Sequence, residues 1–151
     1  MMDKTIVLTP YEIFVAAQAG VARTVENIRD GKKHNYGAQD KDTWQITIEG
    51  ALGECALAKY LGIYWDGKGI MRGADVGDMD VRTAWRDNSH LLVHPNDSDD
   101  RKFWLLTGLN GTYTIRGWIF GRDAKKQEYW KDLQGTNRPA YFVPQTALNN
   151  D

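Results

Sequence analysis

Residues 44–61, reading WQITIEGALGECALAKYL, constrain the fold of this chain more than any other stretch. The run is apolar at most turns and stops at Gly62, so it reads as a helix that must be packed against something. Gly50 and Gly53 each cost about 1 kcal/mol relative to alanine in a helix interior, so a close approach by another segment is expected to repay them. Glu54 shares a helical face with Gly50, Ala51, Leu57, Ala58 and Leu61, the face expected to meet a sheet. A carboxylate aimed at the core calls for a cation, a hydrogen-bond network or a water-filled cleft beside it. The plainer alternative puts Glu54 at the helix edge, paired with a neighbouring Lys or Arg. Glu49 lies about 140° around the helix from Glu54 and is expected in solvent.

Before this helix, Thr9-Pro10-Tyr11-Glu12 has the form of a capping box with proline at the first helical position. It predicts a helix over residues 10–30, ended by Asp30-Gly31, whose stripe of Phe14, Ala17, Val21, Val25 and Ile28 covers the core. Ala16, Ala19, Gly20 and Ala22 would permit close packing. After the second helix come short β-type runs at 69–74, 79–84, 90–94, 103–107 and 112–120, read as neighbouring antiparallel strands with a hairpin turn at 95–100. Residues 122–133 can form a last helix before the tail at 138–148. The order implies an α+β protein, and 151 residues with 42% hydrophobic content suit a single domain over residues 1–151.

Charge excludes the extremes. Nineteen Lys and Arg against twenty Asp and Glu leave a net charge of −1, so affinity for nucleic acid would have to come from local patches. No apolar run is long enough to cross a bilayer, and the N-terminus lacks a secretory pattern, so no membrane partner and a cytoplasmic location are expected. One cysteine, Cys55, excludes an intrachain disulfide and a Cys-cluster zinc site; it is expected to be a small core residue. His34, His90 and His94 do not follow the common zinc spacings, so any metal would be held mainly by oxygen. A phosphate-binding Gly-rich loop ending in Lys-Ser/Thr and a Gly-x-Ser-x-Gly elbow are both missing, which argues against an NTPase and a serine hydrolase.

The second acidic feature is the run from Asp75 to Thr83, DVGDMDVRT. Strand alternation puts Asp78, Asp80 and Arg82 on one face, and aspartate is disfavoured in strands. Asp75 could add an oxygen across the turn at Gly77, an arrangement suited to a hard cation such as Mg²⁺. The alternative is a charged hairpin in which Asp80 pairs with Arg82 or Arg86. Candidate phosphate contacts are Lys32 and Lys33 in the Lys32-Lys33-His34-Asn35-Tyr36 loop, Lys68, Arg72 and Lys125, with Arg122 and Lys126 beside it. Trp44, Trp104 and Trp118 lie in apolar patterns and are expected in the core; Trp65, close to Gly62 and Gly67, is the better candidate for an exposed ring.

The helix bearing Glu54 in GALGE, then Asp75, then Asp80-Val81-Arg82 on a strand, resembles the PD-(D/E)XK superfamily of restriction-endonuclease-like nucleases over residues 44–145. The Asp-Val-Arg-Thr strand and Gly117-Trp118-Ile119 are similar to small phage and bacterial proteins associated with that fold. The resemblance implies a mixed or antiparallel sheet flanked by helices and a deoxyribonuclease using Mg²⁺ or Mn²⁺. Asp75, Asp80 and the Val81 carbonyl would hold the cation, Glu54 would reach it directly or through water, and Arg82 would complete the catalytic set. DNA is the implied partner, with RNA and a homodimer left open. Two departures stand out: Arg82 occupies the place of the usual lysine and cannot act as a general base, and only four residues separate Asp75 from Asp80, so Asp78 is an alternative ligand. A non-catalytic nucleic-acid-binding or interaction module on the same fold is the other reading.

Overall fold

A computed structural model describes residues 4–31, 43–67, 74–132 and 139–151. The capping box forms as its residues dictate: the Glu12 N–H donates to Thr9 Oγ1 at 3.2 Å and the Thr9 N–H donates to Glu12 Oε1 at 2.7 Å. It starts helix α1 (Pro10–Arg29), which follows the edge strand β1 (Thr5–Val7). Helix α2 (Thr43–Leu61) ends at Gly62, whose φ of 70° is the left-handed conformation that glycine adopts without strain. Then come β2 (Asp80–Ala84), β3 (Leu91–Val93), β4 (Lys102–Leu109), β5 (Thr112–Phe120), a four-residue helix α3 (Gly121–Ala124), β6 (Trp130–Lys131) and β7 (Ala140–Val143).

Two sheets result, in the orders β1-β5-β4-β2 and β3-β7-β6, so the chain is a mixed α+β protein. The pairing differs from the all-antiparallel expectation because β2 and β4 run parallel, Asp80 opposite Phe103. Residues 85–101 are long enough for the crossover that a parallel pair needs, and they carry β3 away to pair with β7. The 95–100 connection is therefore no hairpin turn but a passage between sheets. The expected last helix at 122–133 also ends early, at Ala124, because the following residues are drawn into β6, where Trp130 packs edge-on against Tyr141 of β7 at 4.9 Å. The expected strand at 69–74 and the basic loop at 32–37 lie outside the described residues, Ala74 excepted.

The layers stack as α1 on α2 and α2 on one face of the four-stranded sheet, with Leu52, Ala56, Leu57, Trp104, Leu106, Tyr113 and Ile115 between them. A second core joins Phe103, Leu105 and Ile119 on the sheet's other face to Leu91, Val93 and Val143 of the small sheet. Strand β5 serves both cores through a bulge: the register passes from Leu105 opposite Gly117 to Leu106 opposite Ile115, so Ile115 and Trp118 share a face although their numbers differ in parity.

The helices meet more closely than ordinary side chains allow. A Cβ on Gly20 would lie 2.6 Å from the Ile48 Cα, and one on Gly53 would lie 2.0 Å from Thr83 Oγ1. Gly53 is thus explained by β2 passing beneath α2; nothing approaches Gly50. Gly20→Ala is expected to destabilise the fold by about 1–3 kcal/mol in urea titrations, since the backbone it meets cannot rotate aside, despite alanine's better helix propensity.

This close contact overturns the expected face of α1. Ala16, Gly20, Arg23 and Thr24 are buried, whereas Phe14, Val21, Val25 and Ile28 are exposed. Only small side chains fit where α2 comes so near, and the long Arg23 has a partner to reach. Trp44 is likewise exposed and not in the core, because it occupies the first turn of α2, ahead of the buried stretch that starts at Glu49.

Candidate functional site

Glu54 points inward, as its helical position requires, and it is buried. Arg23 of α1 meets it with both terminal nitrogens, Nη1 donating to Oε2 at 3.0 Å and Nη2 to Oε1 at 2.9 Å. The same Nη2 donates to the Gly67 carbonyl at 2.9 Å, and the Trp65 indole N–H donates to Glu54 Oε1 at 3.2 Å. Trp65 is therefore half-buried against the core and not the exposed ring expected for it. Both readings of Glu54 hold a part of the truth: it faces the core and it has a basic partner. Burial raises its carboxyl above the ordinary glutamate range, while Arg23 and Trp65 pull the other way and the charge of Asp80 adds to the rise.

Asp75 and Asp80 approach Glu54 from the start of β2. Val76 and Met79 close a tight turn, with Gly77 at φ 57° and Asp78 exposed at its tip. The turn sends Asp78 into solvent and folds Asp75 back onto the strand, so Asp75 and not Asp78 neighbours Asp80. The Val81 N–H donates to Asp75 Oδ2 at 2.9 Å, and the Asp75 N–H donates to Asp80 Oδ1 at 3.3 Å. Burial pushes the Asp75 carboxyl up to about 7; the Glu54 charge adds to this, the Val81 N–H opposes it, and the Asp80 charge adds again. Arg101 Nη1 lies 3.3 Å from Asp80 Oδ2, so Asp80 pairs neither with Arg82 nor with Arg86.

Arg82 turns towards the second sheet. Its Nε donates to the Leu92 carbonyl at 3.1 Å, its Nη2 to Asp97 Oδ2 at 2.8 Å, and the guanidinium stacks 5.1 Å from the centre of the Phe103 ring. Its charge still reaches Asp75, whose carboxyl it lowers. Lys125 holds the same 95–100 passage, donating to the Asp97 carbonyl at 2.5 Å and to Asp99 Oδ1 at 2.7 Å. Lys32, Lys33, Lys68 and Arg72 lie outside the described residues. Among the described residues, no group of three His, Cys, Asp or Glu side chains is placed to hold a metal ion.

A second buried carboxylate corrects an expectation: Glu49 is inside, not in solvent. It accepts from the Tyr113 hydroxyl and from the Asn110 N–H at 3.1 Å, in the β4–β5 turn where Asn110 has φ 57°. Helix α2 is enclosed by α1 on one side and the sheet on the other, so a 140° rotation leads from one packed surface to another. Cys55 is half-buried and burial pushes its thiol up to about 11, which keeps it protonated and unreactive.

Arg23 and Arg101 are the residues that sequence reasoning missed, and Trp65 was singled out for a different role. The signal for Arg23 was present: Ala16, Gly20, Arg23 and Thr24 recur at helical spacing opposite the apolar stripe. Trp65 and Arg101 carry no local pattern, since each reaches the site by the path of a loop. No helix among the described residues is long and apolar enough to cross a membrane. The chain matches no protein-family model, no curated protein and no solved structure.

Proposed function

We propose that this protein is a metal-dependent deoxyribonuclease built on a restriction-endonuclease-like core, hydrolysing DNA phosphodiester bonds at Asp75, Asp80 and Glu54. One observation supports the reading above the others: at the α2–β2 junction Asp75 lies near two further acids, Glu54 and Asp80, whose charges add to the burial that pushes its carboxyl up to about 7. Negative charge gathered beyond what Arg23 and Arg101 balance favours a divalent cation. Asp75, Asp80 and the Val81 carbonyl are the groups that would hold Mg²⁺ or Mn²⁺, which take one or two carboxylates and complete their shell with water and phosphate. The bound metal would polarise the scissile phosphate and lower the pKa of a water. Arg23 holds Glu54 in place at the edge of this group. Arg101, partly exposed beside Asp80, would meet a phosphate oxygen, and Arg82, bonded to Leu92 and Asp97, ties β2 to the segment that follows it while adding positive field at Asp75.

The second reading, a non-catalytic nucleic-acid-binding module of the same fold, is favoured by one feature. Glu54 is already held by Arg23, Asp80 by Arg101, and Arg82 by Asp97. The test is cleavage of plasmid, linear duplex, single-stranded and branched DNA with Mg²⁺ or Mn²⁺, with EDTA and Asp80→Ala as controls. Metal-dependent cutting that falls at least a hundredfold in Asp80→Ala is the expected result. DNA binding with no cutting under any condition would instead establish the second reading.

A further inference from the structure

Helix α1 has a second seam on the side away from α2. Tyr11, Phe14, Gln18, Val21, Val25 and Ile28 alternate at steps of three and four residues, the spacing at which two helices interlock. All six are exposed, Tyr11 at 82%, Phe14 at 61%, Val25 at 52% and Ile28 at 64%. The row runs about 25 Å along the helix at 1.5 Å per residue.

We propose that this seam pairs with the same seam of a second copy of the chain, the two α1 helices running antiparallel about a two-fold axis between Gln18 and Val21. Shape argues for the antiparallel sense. One end of the seam is bulky, with Tyr11 and Phe14, and the other is slender, with Val25 and Ile28, so reversal sets large against small along the whole contact. Pro10, Tyr11 and Phe14 line an open hollow of about 160 Å³, and reversal brings Ile28 of the second copy to it. The helix dipoles are then opposed, which is favourable, and the two Gln18 amides flank the axis within reach of each other.

Area argues for a second copy as the occupant. The exposed apolar side chains of the seam, with Val15 beside it, present roughly 600 Å² per copy, and two such faces, if wholly covered, reach roughly 1,200 Å², the lower bound for a specific interface. A lipid surface fits poorly, since helices that lie on membranes flank their apolar side with several Lys and Arg, whereas α1 carries one exposed basic residue, Arg29, its other, Arg23, being buried.

Sedimentation velocity on the full chain at 5–100 μM is expected to give a species of twice the 17.2 kDa chain mass. Val25→Glu and Phe14→Glu, both on the solvent side of α1, are expected to leave the far-UV spectrum unchanged and to halve that mass. Tyr11→Cys/Ile28→Cys is expected to form a covalent dimer on oxidation, whereas Ile28→Cys alone is not. A wild-type chain that stays monomeric throughout, a dimer that survives both glutamate substitutions, or efficient cross-linking through Ile28→Cys alone would each overturn the proposal.

Discussion

Replacing Arg23 with alanine is expected to cost about 3–5 kcal/mol of folding stability, the penalty for stranding a buried charge by removing its partner. The two-nitrogen grip on Glu54, at 2.9 and 3.0 Å, would vanish, leaving, among the described residues, the Trp65 indole as the donor to that carboxylate. Glu54 would then meet the charge of Asp80 without the guanidinium that offsets it, and its already raised carboxyl would rise further. The loss should therefore be greatest at alkaline pH and shrink as Glu54 takes up a proton. Adding Glu54→Gln to Arg23→Ala removes the stranded charge and is expected to recover more than half of the loss. Urea unfolding of the two variants at pH 5 and pH 8 checks both statements, and a double variant no more stable than Arg23→Ala would contradict them.

Asp75→Asn is expected to have the opposite sign. With a folded carboxyl near 7 and an unfolded one near 3.9, the native state binds the proton more tightly. The stability that this group contributes is fully present below about pH 4 and is lost as pH rises through about 7. Asparagine stays neutral and keeps an oxygen for the Val81 N–H, so the variant should match the parent at pH 4 and exceed it at pH 8. A shift of this size bounds the gain at about 4 kcal/mol, and solvent screening at a half-buried site brings the expected figure to about 1–2 kcal/mol. If the proposed metal reading is correct, millimolar Mg²⁺ at pH 8 raises the melting temperature of the parent and leaves that of Asp75→Asn unmoved. Equal stability of the two proteins at pH 4 and at pH 8 would show that Asp75 carries no such burden.

Local chemistry made some of the architecture legible and topology withheld the rest. The α1 capping box, the Gly62 stop and the β5 run depend on neighbours within a few residues, and each stands where the sequence implies. Glu54 was readable because an acid within an apolar helical face has few places to go. The exposed seam of α1 defeated pattern reading because apolar spacing tells which residues share a face, not which face meets the core. That choice was made by Gly20 and Arg23, which suit the distance to α2 and the acid behind it. Glu49 was misjudged because a helix enclosed on both sides has no solvent face where the far side of the wheel would predict one. The parallel β2–β4 pair was hidden for a different reason: short strands in sequence order look like a meander until one of them leaves for another sheet.

Strand β5 ties the two halves of the molecule into one event. Because Trp118 supports the helical side and the adjacent Ile119 supports the small sheet, neither core can open without loosening the strand that both use as a wall. Strands β4 and β5 should be the last amides to exchange with deuterium, and they should do so together, at the rate of global unfolding. The acids at the start of β2, bonded to β4 along its length, are thereby attached to the most slowly opening part of the chain.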